Sequence, residues 1–455
     1  MAGGTETRGQ WRSKLGFIFA ASGSAIGLGA IWRFPYITGE NGGGAFVLLY
    51  IFFLVVVAIP YMFCELALGR ATGKNPVGAV STIRPRSWWV IGGILSVLTA
   101  VFICSYYAVI GSWAFGYVFK SLMNQSGNFN GFASDVRVVI PLFACFLAVN
   151  AVIVYKGVEN GIERWVKLLM PLLVLLLLAL LIKSLFLPGA ARGIQFYLKP
   201  DFSKITADAV LAALGQAFFS LSAGMGVMIT YSSYLSEKED MALSGIIVTI
   251  FTTFIALVMG AIIFASLFSF GEDPASGPTL IFIVLPELFA KMPFGNIMGG
   301  LFFLLASVAA LTTIISFLEV PVSYFVDDRR SGRKYAVLGA SVFIFIAGIP
   351  SALGAGSVKA LGRMPFFGGE TFLDFMDFIW GTVGILAASL ALCVFVGWVW
   401  GAKNALAELE KGSAFMRKRF LLVFPFTNAR VWSFFVRYVC PPVILIVLLD
   451  VLKII

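Results

Sequence analysis

The sequence predicts an all-α polytopic membrane protein. Of its 455 residues, 60% are hydrophobic and only 12% charged, about half the charged share of a soluble domain. Apolar runs of spanning length recur along the whole chain, and two of them are interrupted midway by clusters of Gly and Ser. With a mean hydropathy of +0.95, this composition excludes a soluble enzyme, a disordered chain and a fibrous repeat. Histidine is absent, which removes Ser-His dyads, His-bound metals and imidazole proton relays.

Spans are expected at 15–38, 43–69, 88–122, 138–155, 164–187, 207–234, 243–270, 298–326, 336–354, 375–400 and 434–453. Each is roughly the 20 residues that cross a bilayer, or longer with tilt. The first run lacks a small-residue cleavage site and runs on into Arg33, so it reads as a span rather than a signal peptide. The polar stretch 123–136 reads as an outer loop. Segment 271–297 is expected to carry a short helix over the outer face, and 401–420 an interfacial helix. Cys64, Cys104, Cys145, Cys393 and Cys440 lie scattered in apolar stretches without a CxxC pair, as small hydrophobes do. Placing the N-terminus inside puts two-thirds of the 33 Lys and Arg on the cytoplasmic side and, with eleven spans, the C-terminus outside. That bias and the lipid bilayer account for the +10 net charge, with no nucleic-acid partner.

Span one reads FAASGSAIGLGAIWRFPY and span six GQAFFSLSAGMGVMITYSSY. Each carries a small-residue break halfway across, and the two lie five spans apart. Small residues also serve close helix packing in membranes. A matched pair of breaks instead frees backbone groups at mid-membrane depth, which is tolerated only against protein, ligand or a wet cavity. In span eight, Ala309, Thr312, Thr313 and Ser316 share a helix face at i, i+3, i+4 and i+7. Such hydroxyls can bond back to carbonyls one turn earlier. Facing the span-one break, two hydroxyls and three freed carbonyls would form a five-oxygen cage for a hard cation. In span three, Ile103, Tyr107 and Ile110 share a face that suits a ligand with a polar head and an apolar tail. Arg33 and Asp377 are charges near the outer ends of spans one and ten, and such charges read as functional. Glu65, deeper still, should be neutral or heavily hydrogen-bonded.

The motifs GSAIGLGAIWRFPY (23–36), ENGGGAF (40–46), ELALGR (65–70), SYYAVIGSW (105–113), GQAFFSLSAGMG (215–226) and AALTTIISFLE (309–319), with the acidic stretch around Asp377, run through spans one to ten. In that order they resemble the neurotransmitter:sodium symporters, specifically the eleven-span bacterial members with the LeuT-type fold. The resemblance implies one transporter domain over 1–455. It would hold two inverted five-helix repeats (1–187 and 207–400) with broken helices one and six, then a cytoplasmic segment and one extra helix (401–455).

It further implies a sodium ion held by the Gly23, Ile26 and Ala309 carbonyls and the Thr312 and Thr313 hydroxyls. A substrate carboxylate would meet Tyr107 and the amides of Leu28 and Gly29. An amino group would meet the carbonyls of Ala25, Phe219 and Ser220 and the Ser222 hydroxyl. Ser24 and Thr313 would also line the site, and a side chain would rest against Ile103, Ile110, Ala223, Met225, Ser316 and Phe317. Arg33 and Asp377, pairing above Phe219, would form the outer gate. Arg8, Trp11 and Asp327, with Tyr234 and Glu319 nearby, would form the inner one.

One departure stands out. Relatives build a second sodium site largely from an Asn in span one and an Asn or Asp in span seven; here those positions are Ala30 and Thr252, leaving the Ala25 carbonyl and Ser220. Loss of oxygen ligands leaves a hard cation underhydrated. One sodium per cycle is therefore expected. Ala256 stands at the chloride position, so chloride should not be needed, although Tyr50 and Gln216 remain. The expected function is sodium-coupled symport, in an inner (plasma) membrane, of a small zwitterion with an apolar or aromatic side chain, most simply an amino acid. Another small organic anion or zwitterion, or a sensor that binds without carrying, stays open. An intramembrane enzyme would need a buried Ser-Lys or Asp-Asp pair, which the spans lack.

Overall fold

A chain surrounded by lipid must satisfy every backbone N–H and C=O internally, and apolar helices do so within one segment. The computed structural model describes residues 9–272, 281–363, 371–418 and 426–454, and every regular element among them is helical. Nine helices in these residues are long and apolar enough to cross a membrane. They are Gly44–Thr72, Val90–Leu122, Val136–Tyr155, Val158–Leu185, Met241–Phe270, Gly295–Asp327, Arg333–Gly354, Phe372–Glu410 and Asn428–Val451. They match expected spans two to five and seven to eleven. Span one is a pair, Lys14–Ala25 and Gly29–Glu40, bent by 51° at its break. The expected sixth span is no continuous crossing helix: Ala207–Ser220 is apolar but short, and after six residues Val227–Ser232 follows.

Span boundaries shift where sequence periodicity is blind to helix type. Span five begins six residues before the expected 164, with a π-helical turn over Val158–Glu163. Span ten runs on past Gly401, whose positive φ turns the chain into the helix Ala402–Glu410. Beyond the outer loop, Val284–Ala290 forms the expected short helix.

Spans three and eight pack against each other more extensively than any other pair and form the central wall. The inner half of span one lies against spans eight, seven and five, and the inner part of span six against span two. The two breaks therefore face a scaffold of long, unbroken helices.

Candidate functional site

The break in span one follows from its small residues. Helix Lys14–Ala25 ends with the Ile26 amide on the Ser22 carbonyl at 2.7 Å, and the chain restarts helically at Gly29. Gly27 sits where the chain passes closest to its neighbours: a Cβ there would collide with the Tyr107 hydroxyl and with Thr313 Oγ1. In span six the chain turns through Ser222, Gly224 and Gly226, all with positive φ. That turn frees the Gly224 amide, which donates to Glu65 Oε1 at 2.7 Å, while Tyr61 donates to the same oxygen at 2.8 Å. Glu65 is thus hydrogen-bonded at depth, as expected, and it fastens the span-six break to span two.

Span eight brings its two threonines to the first break. Thr312 Oγ1 donates to the Gly23 carbonyl at 3.0 Å and Thr313 Oγ1 to the same carbonyl at 3.1 Å. Both also reach back to the Ala309 carbonyl, at 2.9 and 3.1 Å, and Thr313 reaches the Ser24 carbonyl at 3.2 Å. Back-bonding within the helix and reaching across to span one therefore coexist. Five oxygens converge: Gly23, Ser24 and Ala309 carbonyls and the two hydroxyls. Ser24 joins this set, whereas the expected Ile26 is seen as the buried C-cap of the inner half-helix.

Ser24, Ala25, Leu28, Gly29, Ile103, Tyr107, Ile110, Phe219, Ser220, Ser222, Ala223, Met225, Thr313, Ser316 and Phe317 are all buried. The Gly29 amide donates to the Tyr107 oxygen at 3.3 Å, so two of the groups expected at a carboxylate satisfy one another. Ser222 reaches the Ser24 hydroxyl at 3.0 Å and its carbonyl at 3.2 Å, joining the two breaks. Tyr107 meets Phe317 edge to face at 5.9 Å. Ser316 is held on its polar side. Its hydroxyl is 2.8 Å from that of Tyr231 and bonds to the Thr312 carbonyl, so its polar end serves the packing of spans six and eight.

At the end of the site expected to face outward, Arg33 lies over the Phe219 ring at 4.7 Å, and that ring packs on Gly29, where any Cβ would strike it. The expected direct Arg33–Asp377 ion pair is not made. Arg33 Nη2 reaches Thr382 Oγ1 at 3.4 Å, and Asp377 accepts from the Tyr106 hydroxyl at 2.7 Å. Span ten is π-helical over Asp377–Gly384, and π turns bring i and i+5 together. Asp377 and Thr382 therefore share the face turned to Tyr106 and Arg33.

On the inner side, Trp11 donates its indole N–H to the Tyr231 carbonyl at 2.9 Å and stands edge-on to that ring at 5.2 Å. Its amide bonds the Tyr234 carbonyl at 3.3 Å. The Tyr234 hydroxyl donates to Glu319 at 2.9 Å, and Asp327 accepts from Asn75 at 3.2 and 3.3 Å. Arg8 lies outside the described residues. Tyr107, Phe219 and Trp11's partners Tyr231 and Tyr234 are all buried.

A model of the sodium:neurotransmitter symporter family matches residues 8–129 and 126–452. The chain belongs to that family. It is 36% identical to the uncharacterized sodium-dependent transporter YhdH of Bacillus subtilis (strain 168) over 98% of each chain, and 36% identical to one from Haemophilus influenzae over 99% of each. The crystal structure of MhsT in complex with L-phenylalanine superposes with a TM-score of 0.88 at 38% identity, covering 98% of this chain and 100% of that one. The protein is thus a sodium-dependent, multi-pass membrane transporter, and not an enzyme.

The position expected to be a degenerate second sodium site is buried. Ala25, Ala30, Ser220 and Thr252 are all buried, and Ser220 is engaged by Gln216 at 3.2 Å. Thr252 Oγ1 and Gln216 Oε1 have no hydrogen-bond partner among the described residues. Sequence reasoning missed several residues. Arg333 pairs with Glu319 through both nitrogens at 2.5 and 3.2 Å and also holds the Val154 carbonyl. Glu163 is buried and accepts from the Arg12 amide, Ser13 and Lys167, tying the start of span one to span five. Arg70 is buried against Glu408 at 2.7 Å.

Proposed function

We propose that this symporter couples the entry of one sodium ion to that of an apolar or aromatic amino acid, by alternating access across an inner (plasma) membrane. The observation that carries the reading is the convergence of Thr312 and Thr313 on the Gly23 carbonyl. It supplies neutral oxygen ligands, which suit a hard cation of single charge. In this reading sodium meets the carbonyls of Gly23, Ile26 and Ala309 and the two hydroxyls, and so ties span one to span eight. The amides of Leu28 and Gly29, at the N-terminus of the outer half-helix, and the Tyr107 hydroxyl receive the substrate carboxylate. To do so the carboxylate replaces the Gly29–Tyr107 bond. The amino group lies against Ala25, Phe219, Ser220 and Ser222, whose neighbourhood is the negative end of the inner half-helix. Ile103, Ile110, Ala223, Met225 and Phe317 line an apolar tail site. Phenylalanine, the ligand named for MhsT, fits that chemistry.

Coupling follows from position. Thr313 belongs to the cation set, yet at Gly27 it stands beside the Tyr107 hydroxyl. Ordering the break for one ligand prepares it for the other, which is reciprocal coupling between sites. The degenerate second position argues for a single sodium and for chloride independence. The unpartnered Thr252 hydroxyl favours a second reading, in which it restores one ligand and two ions are carried. The repeat boundaries 1–187 and 207–400, an inside N-terminus and an outside C-terminus complete the proposal. Reconstitution in proteoliposomes tests it: an imposed sodium gradient should drive labelled phenylalanine inward, and labelled substrate should exchange by counterflow. Saturable binding without counterflow would make the protein a sensor instead.

A further inference from the structure

We propose that the groove between spans three, eight and nine is a binding site for an anionic phospholipid. The site is independent of the substrate and of the ions carried. A cavity of about 540 Å³ opens there, walled by Leu98, Val101, Pro321, Tyr324, Ala340 and Phe343. Its walls are almost wholly apolar, and Leu98 and Phe343 are exposed on a surface that faces lipid. Lipid-facing helices need only a smooth apolar surface. A concave one, with Gly339 exposed on span nine and open space where its Cβ would stand, admits an acyl chain.

The chemistry at one end selects the head group. The groove runs from Val101 down span three to Ile94, and at that end Tyr324, Ser331 and Tyr335 form its mouth. The loop before span nine carries Arg329 and Arg330, and Lys334 follows in that span's first turn; all three are exposed. Arg329 is fixed there: its Nε donates to the Tyr324 hydroxyl at 3.3 Å, and its guanidinium lies 5.8 Å from the Tyr324 ring centre. The acidic Asp328 of the same loop accepts from Asn75 at 3.0 Å, and Arg333 is taken by Glu319. The mouth therefore keeps a basic balance beside a hydroxyl pair, Tyr324 and Ser331. Basic pockets between membrane helices hold anionic head groups, and each Lys or Arg near such a charge adds attraction.

Full-length protein in phosphatidylcholine nanodiscs, doped with diazirine-tailed phosphatidylglycerol or the matching phosphatidylcholine probe, provides the test. After photolysis, peptides covering 94–101 and 336–343 should carry several-fold more of the phosphatidylglycerol probe. Arg329→Gln with Arg330→Gln should cut that preference by about fivefold per charge removed. Gly339→Phe, which places a ring in open space, should abolish labelling of these peptides by both probes. Equal labelling by the two probes, a preference unchanged in the double glutamine variant, or groove labelling that survives Gly339→Phe would each overturn the assignment.

Discussion

Replacing Thr312 and Thr313 by valine removes both hydroxyls from the oxygen cluster while keeping nearly the same volume. Volume matters because a Cβ added at Gly23 would come within 3.0 Å of Thr312 Cβ, so the two helices have no slack. Each hydroxyl lies within hydrogen-bonding distance of the Gly23 carbonyl, at 3.0 or 3.1 Å. Each substitution should then cost about 1 kcal/mol of stability, the net worth of a hydrogen bond. With sodium present the same oxygen contacts a full charge, and the loss rises to about 1.5–3 kcal/mol per hydroxyl, tenfold to roughly a hundredfold in sodium affinity. The double variant should therefore show no sodium-dependent rise in melting temperature at concentrations that saturate the parent. It should also lose uptake driven by a sodium gradient. Thr312→Ser and Thr313→Ser, which keep the oxygens, should retain both responses. Undiminished sodium stabilisation and coupling in the double valine variant would refute the assignment of the cation to this cluster.

Tyr106→Phe or Asp377→Asn should lower uptake by about tenfold, the worth of a hydrogen bond to a charge, while leaving sodium binding near the parent value; parallel loss of both would show that the pair supports the fold rather than the outer gate. Sodium dependence of uptake should give a Hill slope near one, and replacing chloride with gluconate should leave the rate unchanged. A slope near two, or two ions per substrate from reversal potentials, would restore the second site through Thr252. Arg333→Gln strips the fully buried Glu319 of its charged partner and should destabilise the protein by about 3 kcal/mol. Adding Glu319→Gln should recover part of that loss in thermal denaturation, and simply additive losses would argue against a buried pair.

The membrane class, the positions of the long spans and the two interrupted ones were all legible in the residues alone. Those features follow from local composition: apolar length sets what can cross lipid, and Gly with Ser sets where a helix can break. Which residues of span eight share a face was legible too, because Ala309, Thr312, Thr313 and Ser316 follow the α period. What that face meets was decided only by the fold. Ser316 turns to Tyr231, whereas Thr312 and Thr313 reach Gly23 some 290 residues away. Thr382 comes within reach of Arg33 on the face of Asp377 because span ten is π-helical there, and α periodicity would have put it on a different face. Arg333 finds Glu319, and Arg70 finds Glu408, only once separate helices are packed side by side. A buried charge must have a partner, and sequence composition states that need; which of the distant partners meets it depends on how the helices cross.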